Sequence, residues 1–152
     1  MWPETKEKVD IELALLRRLI ENHRPLLDKV RHTEPDNIEL SALSACLHAF
    51  YTGIEGIFKR IALEIDGSVP TGDRWHSELL TKVTQQTSGR KPVISSGLCS
   101  ALVEYMEFRH VFRHAYTFDL KWRKMSHLVL QCEKTLDQLS TELSAFFAAD
   151  KS

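Results

Sequence analysis

Apolar residues recur every three or four positions along most of the chain, which is the spacing of one face of an α-helix. No segment alternates apolar and polar residues in the way a half-buried strand does. The pattern predicts an all-α protein, an antiparallel helical bundle of four long helices plus a short helix. One such track, near the C-terminus, consists of Met125, Leu128, Cys132, Leu136, Leu139, Leu143 and Phe146.

Local signals predict the ends of the first two helices. Residues 4–30 form one helical pattern, with a kink expected near Pro25 because proline lacks the backbone N–H that a helix interior needs. The second helix begins after Asp36, with Glu39 three residues later completing a capping-box pattern. It is expected to run to Gly67, a natural C-terminal cap.

Two glycines, Gly53 and Gly56, interrupt the second helical pattern. Glycine lowers helix propensity, so we expect a neighbouring backbone to pack closely there.

The remaining helices follow loops rich in glycine, proline and serine. A short third helix is predicted over residues 76–87 with Asp73 as its cap. Ser95 or Ser96 is expected to cap a fourth helix through "LCSALVEYMEFRHVFRHAY", and a last helix is predicted over residues 121–149.

The composition is that of one globular domain, predicted to span residues 1–152. A net charge of −1 argues against broad electrostatic adhesion to nucleic acid or membrane, so such a partner would need a local basic patch. No signal-like N-terminus or membrane-length apolar run is present, so a cytoplasmic protein with no membrane partner is expected. Cys46, Cys99 and Cys132 lie in helical patterns that are typical of reduced core thiols.

The segment "FRHVFRHAYTFDLKW" sets arginines and histidines among aromatic residues. Arg109 falls on the apolar track of the fourth helix, where a permanent charge is costly unless it meets an anion or a wet cleft. Two interpretations stay open: Arg109 lies at the margin of the apolar track and either extends to solvent or pairs with an acid such as Glu55, or it belongs to a functional site. Tyr51, Glu55 and Lys59 share one face of the second helix and are either site support or a solvated face.

His110 and His114 are four residues apart and share a helix face. The pair lacks a third ligand and an intervening glutamate, so no metal and no cofactor is predicted. Arg109 and His114 are about 140° apart around an ideal helix. Either the helix is distorted there, or the two residues meet across a two-fold axis between chains.

These residues fit the pattern R-x4-H-x-Y, which resembles the HEPN ribonuclease superfamily and specifically its HepT-like toxins. "FYTGIEGIFKRIALEIDGSVPTGDRWHSELL" also resembles one HepT-like branch, so the similarity covers about residues 36–150. The resemblance implies a HEPN-like fold and a metal-independent endoribonuclease that acts as a homodimer. Arg109 and His114 of both subunits would line its cleft, and His110 would orient or polarise the site.

In the HepT–MntA type of type II toxin–antitoxin system, a minimal nucleotidyltransferase antitoxin adds AMP to the tyrosine of this motif. The resemblance therefore implies an MntA-like partner and a modification site at Tyr116. The alternative is a HEPN module that binds RNA or nucleotide without cutting it, or a helical interaction module. His76 also fits the family pattern, and its expected role is structural.

Positive charge is concentrated after Arg109. The possible RNA-binding residues are Arg113, Lys121, Arg123 and Lys124, beside Tyr116 and Trp122 as possible stacking partners for bases. Transfer RNA is one possible substrate, but all RNA shares the same phosphodiester, so these residues do not select among RNA classes.

Overall fold

The structure is a computed structural model that describes residues 2–116 and 119–149. Thr117 and Phe118 of the motif segment and the ends of the predicted 1–152 domain lie outside these ranges. The described part is all-α, as predicted; its β-type pairing is limited to an isolated backbone bridge between Thr87 and Arg90. Its elements are α1 (Pro3–Asn22), α2 (Arg24–Lys29), α3 (Asn37–Ile61), a π-helical turn (Ala62–Asp66), α4 (Trp75–Lys82), α5 (Ser96–His114) and α6 (Trp122–Ala149).

The first predicted helix is divided into α1 and α2, and the break lies at His23 rather than at Pro25. Proline clashes with the carbonyl four residues before it, so the helix ends ahead of Pro25 and restarts with Pro25 in its first turn. Nδ1 of His23 lies 2.9 Å from the Leu19 carbonyl oxygen, one of the acceptors left near the break.

The second predicted helix has the expected capping box. Glu39 N–H donates to Asp36 Oδ1 at 2.8 Å, and Asp36 N–H donates to Glu39 Oε1 at 3.0 Å. The element also ends at Gly67, which has a φ of 85°. Its last five residues widen into the π-helical turn, where the Asp66 carboxylate binds the buried Arg90; this ion pair offsets the poorer geometry of the wide turn.

Arg90 is a structural anchor for the loop between α4 and α5. Its Nε and Nη2 donate to the Asp66 carboxylate at 2.7 and 2.9 Å. The remaining N–H groups donate to carbonyl oxygens of Lys82, Gln85 and Lys91. A guanidinium with all of its donors satisfied can be buried at acceptable cost.

The third predicted helix is shorter than expected, and its N-terminal cap is a different residue. α4 ends at Lys82, because the Val83 carbonyl accepts N–H bonds from Val93 and Ile94 at 2.8 and 3.2 Å and the chain turns back there. The prediction that Asp73 caps this helix was wrong, since Arg74 occupies the cap position and makes no side-chain cap bond.

α5 and α6 form where the sequence predicts them. Ser95 caps α5 by accepting the Leu98 N–H at 3.1 Å, and its own N–H and hydroxyl donate to Glu142 of α6. The residues of the C-terminal apolar track are all buried. None of the helices in the described part of the chain combines the length and apolarity needed to cross a membrane.

α3 lies at the centre of the bundle and contacts α1, α4, α5 and α6. Its neighbours α1 and α5 both run antiparallel to it. Along α1, Thr5 bonds Glu64 and Leu16 meets Gly53, so the start of α1 lies at the end of α3. Along α5, Arg109 bonds Thr52 and the later Phe112 meets the earlier His48, so the directions are again opposed. A Cβ on Gly53 would lie 2.6 Å from Leu16 Cδ2, so the close approach predicted there exists but involves a side chain. Gly56 has open space.

Candidate functional site

Arg109 is held by α3 through two contacts. Its Nε–H donates to Thr52 Oγ1 at 3.0 Å, and Nη1 lies 3.6 Å from Glu55 Oε1. The Thr52 hydroxyl in turn donates to the His48 carbonyl, which leaves oxygen lone pairs for Arg109. The Arg109 side chain keeps 16% of its surface exposed. The pairing with Glu55 that the sequence left open is therefore present, and it leaves part of the guanidinium open to solvent.

Glu55 is buried, with only 4% of its surface exposed, and it has two partners. His76 Nδ1 lies 2.6 Å from Glu55 Oε2, while Arg109 faces Oε1. A buried carboxylate needs such partners because water no longer solvates it. Glu55 thus joins α3, α4 and α5 at one point.

An open cleft of about 450 Å³ lies beside this point, between α4 and α5. Three arginines line it against two carboxylates, so it favours an anionic ligand. The residues that line this α4–α5 cleft are Asp73, Arg74, His76, Ser77, Met106, Glu107, Arg109, His110, Val111 and Arg113.

The two histidines of the motif are exposed at the C-terminal end of α5. The rings of His110 and His114 are 4.7 Å apart between centroids, and His110 lines the α4–α5 cleft. α5 remains α-helical through His114, so no distortion of the helix turns His114 toward Arg109. The described residues contain no group of three or more histidine, cysteine, aspartate or glutamate side chains that could hold a metal ion.

Tyr51 and Lys59, the neighbours of Glu55 on α3, have different surroundings. Tyr51 is 1% exposed and belongs to the core, where burial raises the pKa of its hydroxyl. The Lys59 ammonium lies 4.7 Å from the centre of the Trp75 ring, a cation–π contact at the start of α4. Only Glu55 of this set reaches Arg109.

Sequence reasoning missed His48 and Thr52 and left His76 without a mechanism. His48 packs its ring 5.3 Å from that of Phe112, and burial, with the positive charges of Arg109 and Arg113, lowers its pKa. One signal was available: His48, Thr52, Glu55 and Lys59 are spaced four, three and four, which places them on one polar track of α3.

The basic residues after Arg109 are divided between two surfaces. Arg113 lines the α4–α5 cleft, whereas Lys121 and Lys124 line a second groove of about 420 Å³ between α5 and α6. Arg123 is exposed at the start of α6. Trp122 packs against the core. Glu107 and Val111 line both grooves, so the two adjoin along α5.

Tyr116 follows the end of α5 and is 73% exposed. Its carbonyl accepts the Asp119 N–H at 2.9 Å. Most of its side chain is open to solvent.

The cysteines lie away from this chemistry. All three are free, and burial raises the pKa of Cys46 to about 12 and that of Cys132 to about 11. Few thiolates form at such values, so nucleophilic catalysis by these two thiols is disfavoured.

An all-helical bundle whose motif helix presents an anchored arginine and two exposed histidines fits what the R-x4-H-x-Y pattern predicts for a HEPN-type protein. The family described as HepT-like protein matches residues 42–149, more than half of the chain and the whole candidate site. The chain belongs to this HepT-like family. No curated protein and no solved structure matches it.

Proposed function

We propose that this protein is the toxin of a type II toxin–antitoxin pair and cuts RNA as a metal-independent endoribonuclease. Membership of the HepT-like family supports the class. The observation that carries the chemistry is Arg109, fixed by Thr52 and Glu55 yet open to an anion-favouring cleft. A fixed guanidinium can hold phosphate oxygens in a fork.

Cleavage without a metal uses the ribose 2′-hydroxyl as the nucleophile, so the protein supplies proton transfer and stabilises the extra negative charge on phosphorus. Arg109 holds the phosphate and His114 transfers protons near neutral pH. His110, which lines the same cleft as Arg109, orients or polarises the phosphate. DNA, which lacks the 2′-hydroxyl, is not cut.

The proposed enzyme is a homodimer, because one chain does not direct Arg109 and His114 to the same place. The two residues are about 140° apart on a helix that stays regular. A two-fold axis beside the end of α5 brings the His114 of one subunit to the cleft of the other. Exposed Val111, between the two motif residues, supplies apolar surface for that contact.

Neutralisation is proposed to occur by AMP transfer to Tyr116 from an MntA-like nucleotidyltransferase. The exposure of Tyr116 supports access by such an enzyme. Each added nucleotide brings a bulky, anionic phosphate to the end of the motif helix, where it competes with RNA for the cationic side chains.

The test is incubation of purified, unmodified protein with total RNA in EDTA, with the new ends typed. We expect cleavage that leaves 2′,3′-cyclic phosphates, and a loss of about 10²-fold or more in Arg109→Ala and His114→Ala. His32→Ala, an exposed histidine between α2 and α3, is the matched control and should cut normally.

Intact RNA after incubation with a folded, unmodified dimer would reject the nuclease. The runner-up is then a HEPN module that binds RNA or nucleotide without cutting it. The position of His114 outside the α4–α5 cleft favours that candidate, since a binding site needs only the arginines. It predicts RNA affinity that survives His114→Ala and falls with Arg109→Ala.

A further inference from the structure

His76 and Glu55 form a carboxylate–histidine pair that the motif R-x4-H-x-Y does not include. Glu55 comes from α3 and His76 from the first turn of α4, and their contact of 2.6 Å joins Oε2 to Nδ1. The other carboxylate oxygen faces Arg109 at 3.6 Å. Each partner therefore has its own oxygen of a buried acid.

This contact selects the tautomer of the His76 ring. With a Glu55 carboxylate oxygen as the acceptor, Nδ1 of His76 carries the ring proton and donates a hydrogen bond to Oε2. In the neutral ring Nε2 then has a free lone pair. Among the described residues no protein group is hydrogen-bonded to Nε2, and the side chain, 29% exposed, lines the α4–α5 cleft.

The ring of His76 is also restrained by its neighbours. Its ring centroid lies 3.6 Å from that of Trp75. The Trp75 ring in turn makes a cation–π contact with the Lys59 ammonium. A buried carboxylate that orients an imidazole, whose second nitrogen opens to a cleft with a phosphate-binding arginine, is the arrangement of a general base.

We propose that His76 is a catalytic base of the RNA cleavage, oriented by Glu55. This inference rests on the proposed ribonuclease function. Nε2 of His76 takes the proton of the 2′-hydroxyl while that oxygen bonds to phosphorus. The bond between phosphorus and the 5′-oxygen breaks, and the 5′-oxygen takes a proton from His114. The products are a 2′,3′-cyclic phosphate and a 5′-hydroxyl; the proton on His76 then passes to water, and His114 takes a proton back from water.

The division of roles has a structural reason. His76 is fixed to the same carboxylate as Arg109, so base and phosphate clamp keep one geometry. His114 lies on the exposed end of α5 and is free to approach the opposite side of the phosphate from the second subunit. An in-line displacement needs its base and its acid on opposite sides of phosphorus.

The experiment compares two RNA substrates of one sequence, one with a normal 5′-oxygen and one with sulfur at the leaving position. Thiolate leaves without a proton, so loss of an acid is masked on the sulfur substrate and loss of a base is not. We expect His76→Ala to slow both substrates by about 10²-fold or more. His114→Ala should slow the oxygen substrate alone. Free imidazole should restore part of the His76→Ala rate.

His127→Ala is the matched control, because His127 also pairs with a carboxylate, Glu104 at 3.3 Å, but on the α6 side of α5. It should cut both substrates normally. Circular dichroism and thermal melting of each variant establish that loss of cleavage is not loss of fold. Glu55→Gln, which keeps the shape of the side chain, should slow both substrates less than His76→Ala.

A His76→Ala variant that cuts both substrates at the parent rate would overturn the inference while leaving the nuclease intact. Rescue of His76→Ala by the sulfur substrate would overturn it too, since His76 would then be the acid. A parent protein that cuts neither substrate rejects the proposed function itself. Nitrogen NMR of the protein without RNA tests the tautomer of His76. The Nδ1–H tautomer is expected, and a proton on Nε2 instead contradicts the assignment.

Discussion

Arg109 carries a permanent charge on a helix whose other track residues are mostly apolar. α3 meets that charge with one hydroxyl and one carboxylate, and the exposed part of the guanidinium faces the cleft. His110, Arg113 and His114 of the same segment are exposed, so placing them on the helix costs little. Arg109 is the arginine of this helix whose side chain is anchored by hydrogen bonding and ion pairing to α3.

Removing that arginine should also lower stability. In Arg109→Ala the buried Glu55 loses its cation, and we expect a loss of about 1–3 kcal/mol in the free energy of unfolding. Urea denaturation measures it. The double variant Arg109→Ala/Glu55→Gln should lose less than the sum of the two single losses, because the unpaired charge is gone. Additivity within about 0.5 kcal/mol would show that the ion pair contributes nothing.

The sequence predicts part of this site. The spacing of Leu98, Leu102, Tyr105 and Arg109, in steps of four, three and four, places Arg109 on the apolar track of α5. Its pairing with Glu55 was part of one of the two interpretations left open. The contact between His76 and Glu55 did not follow, because it depends on how the loop after Gly67 returns α4 to α3. Lys82 of α4 donates to the Ser68 carbonyl of that loop at 3.0 Å, a contact between distant residues that no local pattern predicts.

At the scale of elements, local chemistry decides the helix ends that were predicted correctly. The capping box of α3, the Ser95 cap of α5 and the left-handed Gly67 each use groups within a few residues. The start of α4 at Trp75 lies one residue from the prediction, but its end was predicted too late. The Val83 carbonyl is taken by Val93 and Ile94, ten and eleven residues later. Tertiary hydrogen bonds override propensity there.

The two glycines of α3 offer a matched pair at this scale. Gly56→Ala should stabilise the protein by up to about 1 kcal/mol, because the new methyl meets open space and alanine favours the helix. Gly53→Ala should destabilise it, since Leu16 is buried and must move aside from 2.6 Å. Chemical denaturation of both variants checks the difference. Equal gains would mean that α1 and α3 do not pack closely at Gly53.

At the scale of the whole molecule, two groups whose pKa is lowered by folding, Glu133 and His48, make the free energy of unfolding depend on pH. Arg24 of α2 binds Glu133 of α6, and that hydrogen bond lowers the pKa of Glu133 from its ordinary 4.5. Burial and nearby arginines lower the pKa of His48 from 6.5. Both groups bind more protons in the unfolded chain than in the folded one over these ranges.

Stability should therefore fall in two stages as the pH is lowered. Each folded pKa is depressed, so each contribution is complete above the unfolded value and is lost as the pH falls through the folded one. His48 acts first, from about 6.5 downward, and Glu133 acts from about 4.5 downward. Urea midpoints across this range measure both stages. His48→Gln should remove the first stage and keep the second; an unchanged profile in that variant contradicts the assignment.

Glu55 and its two partners, His76 and Arg109, are far apart along the chain, so they are made at different times during translation. A ribosome adds about 5–20 residues each second, so Arg109 is made roughly 3–10 seconds after Glu55. Until then the Glu55 carboxylate has no guanidinium partner, and His76 is the partner that is made first. The candidate site therefore forms only after α5 has been made, and a truncated chain that ends before α5 has none.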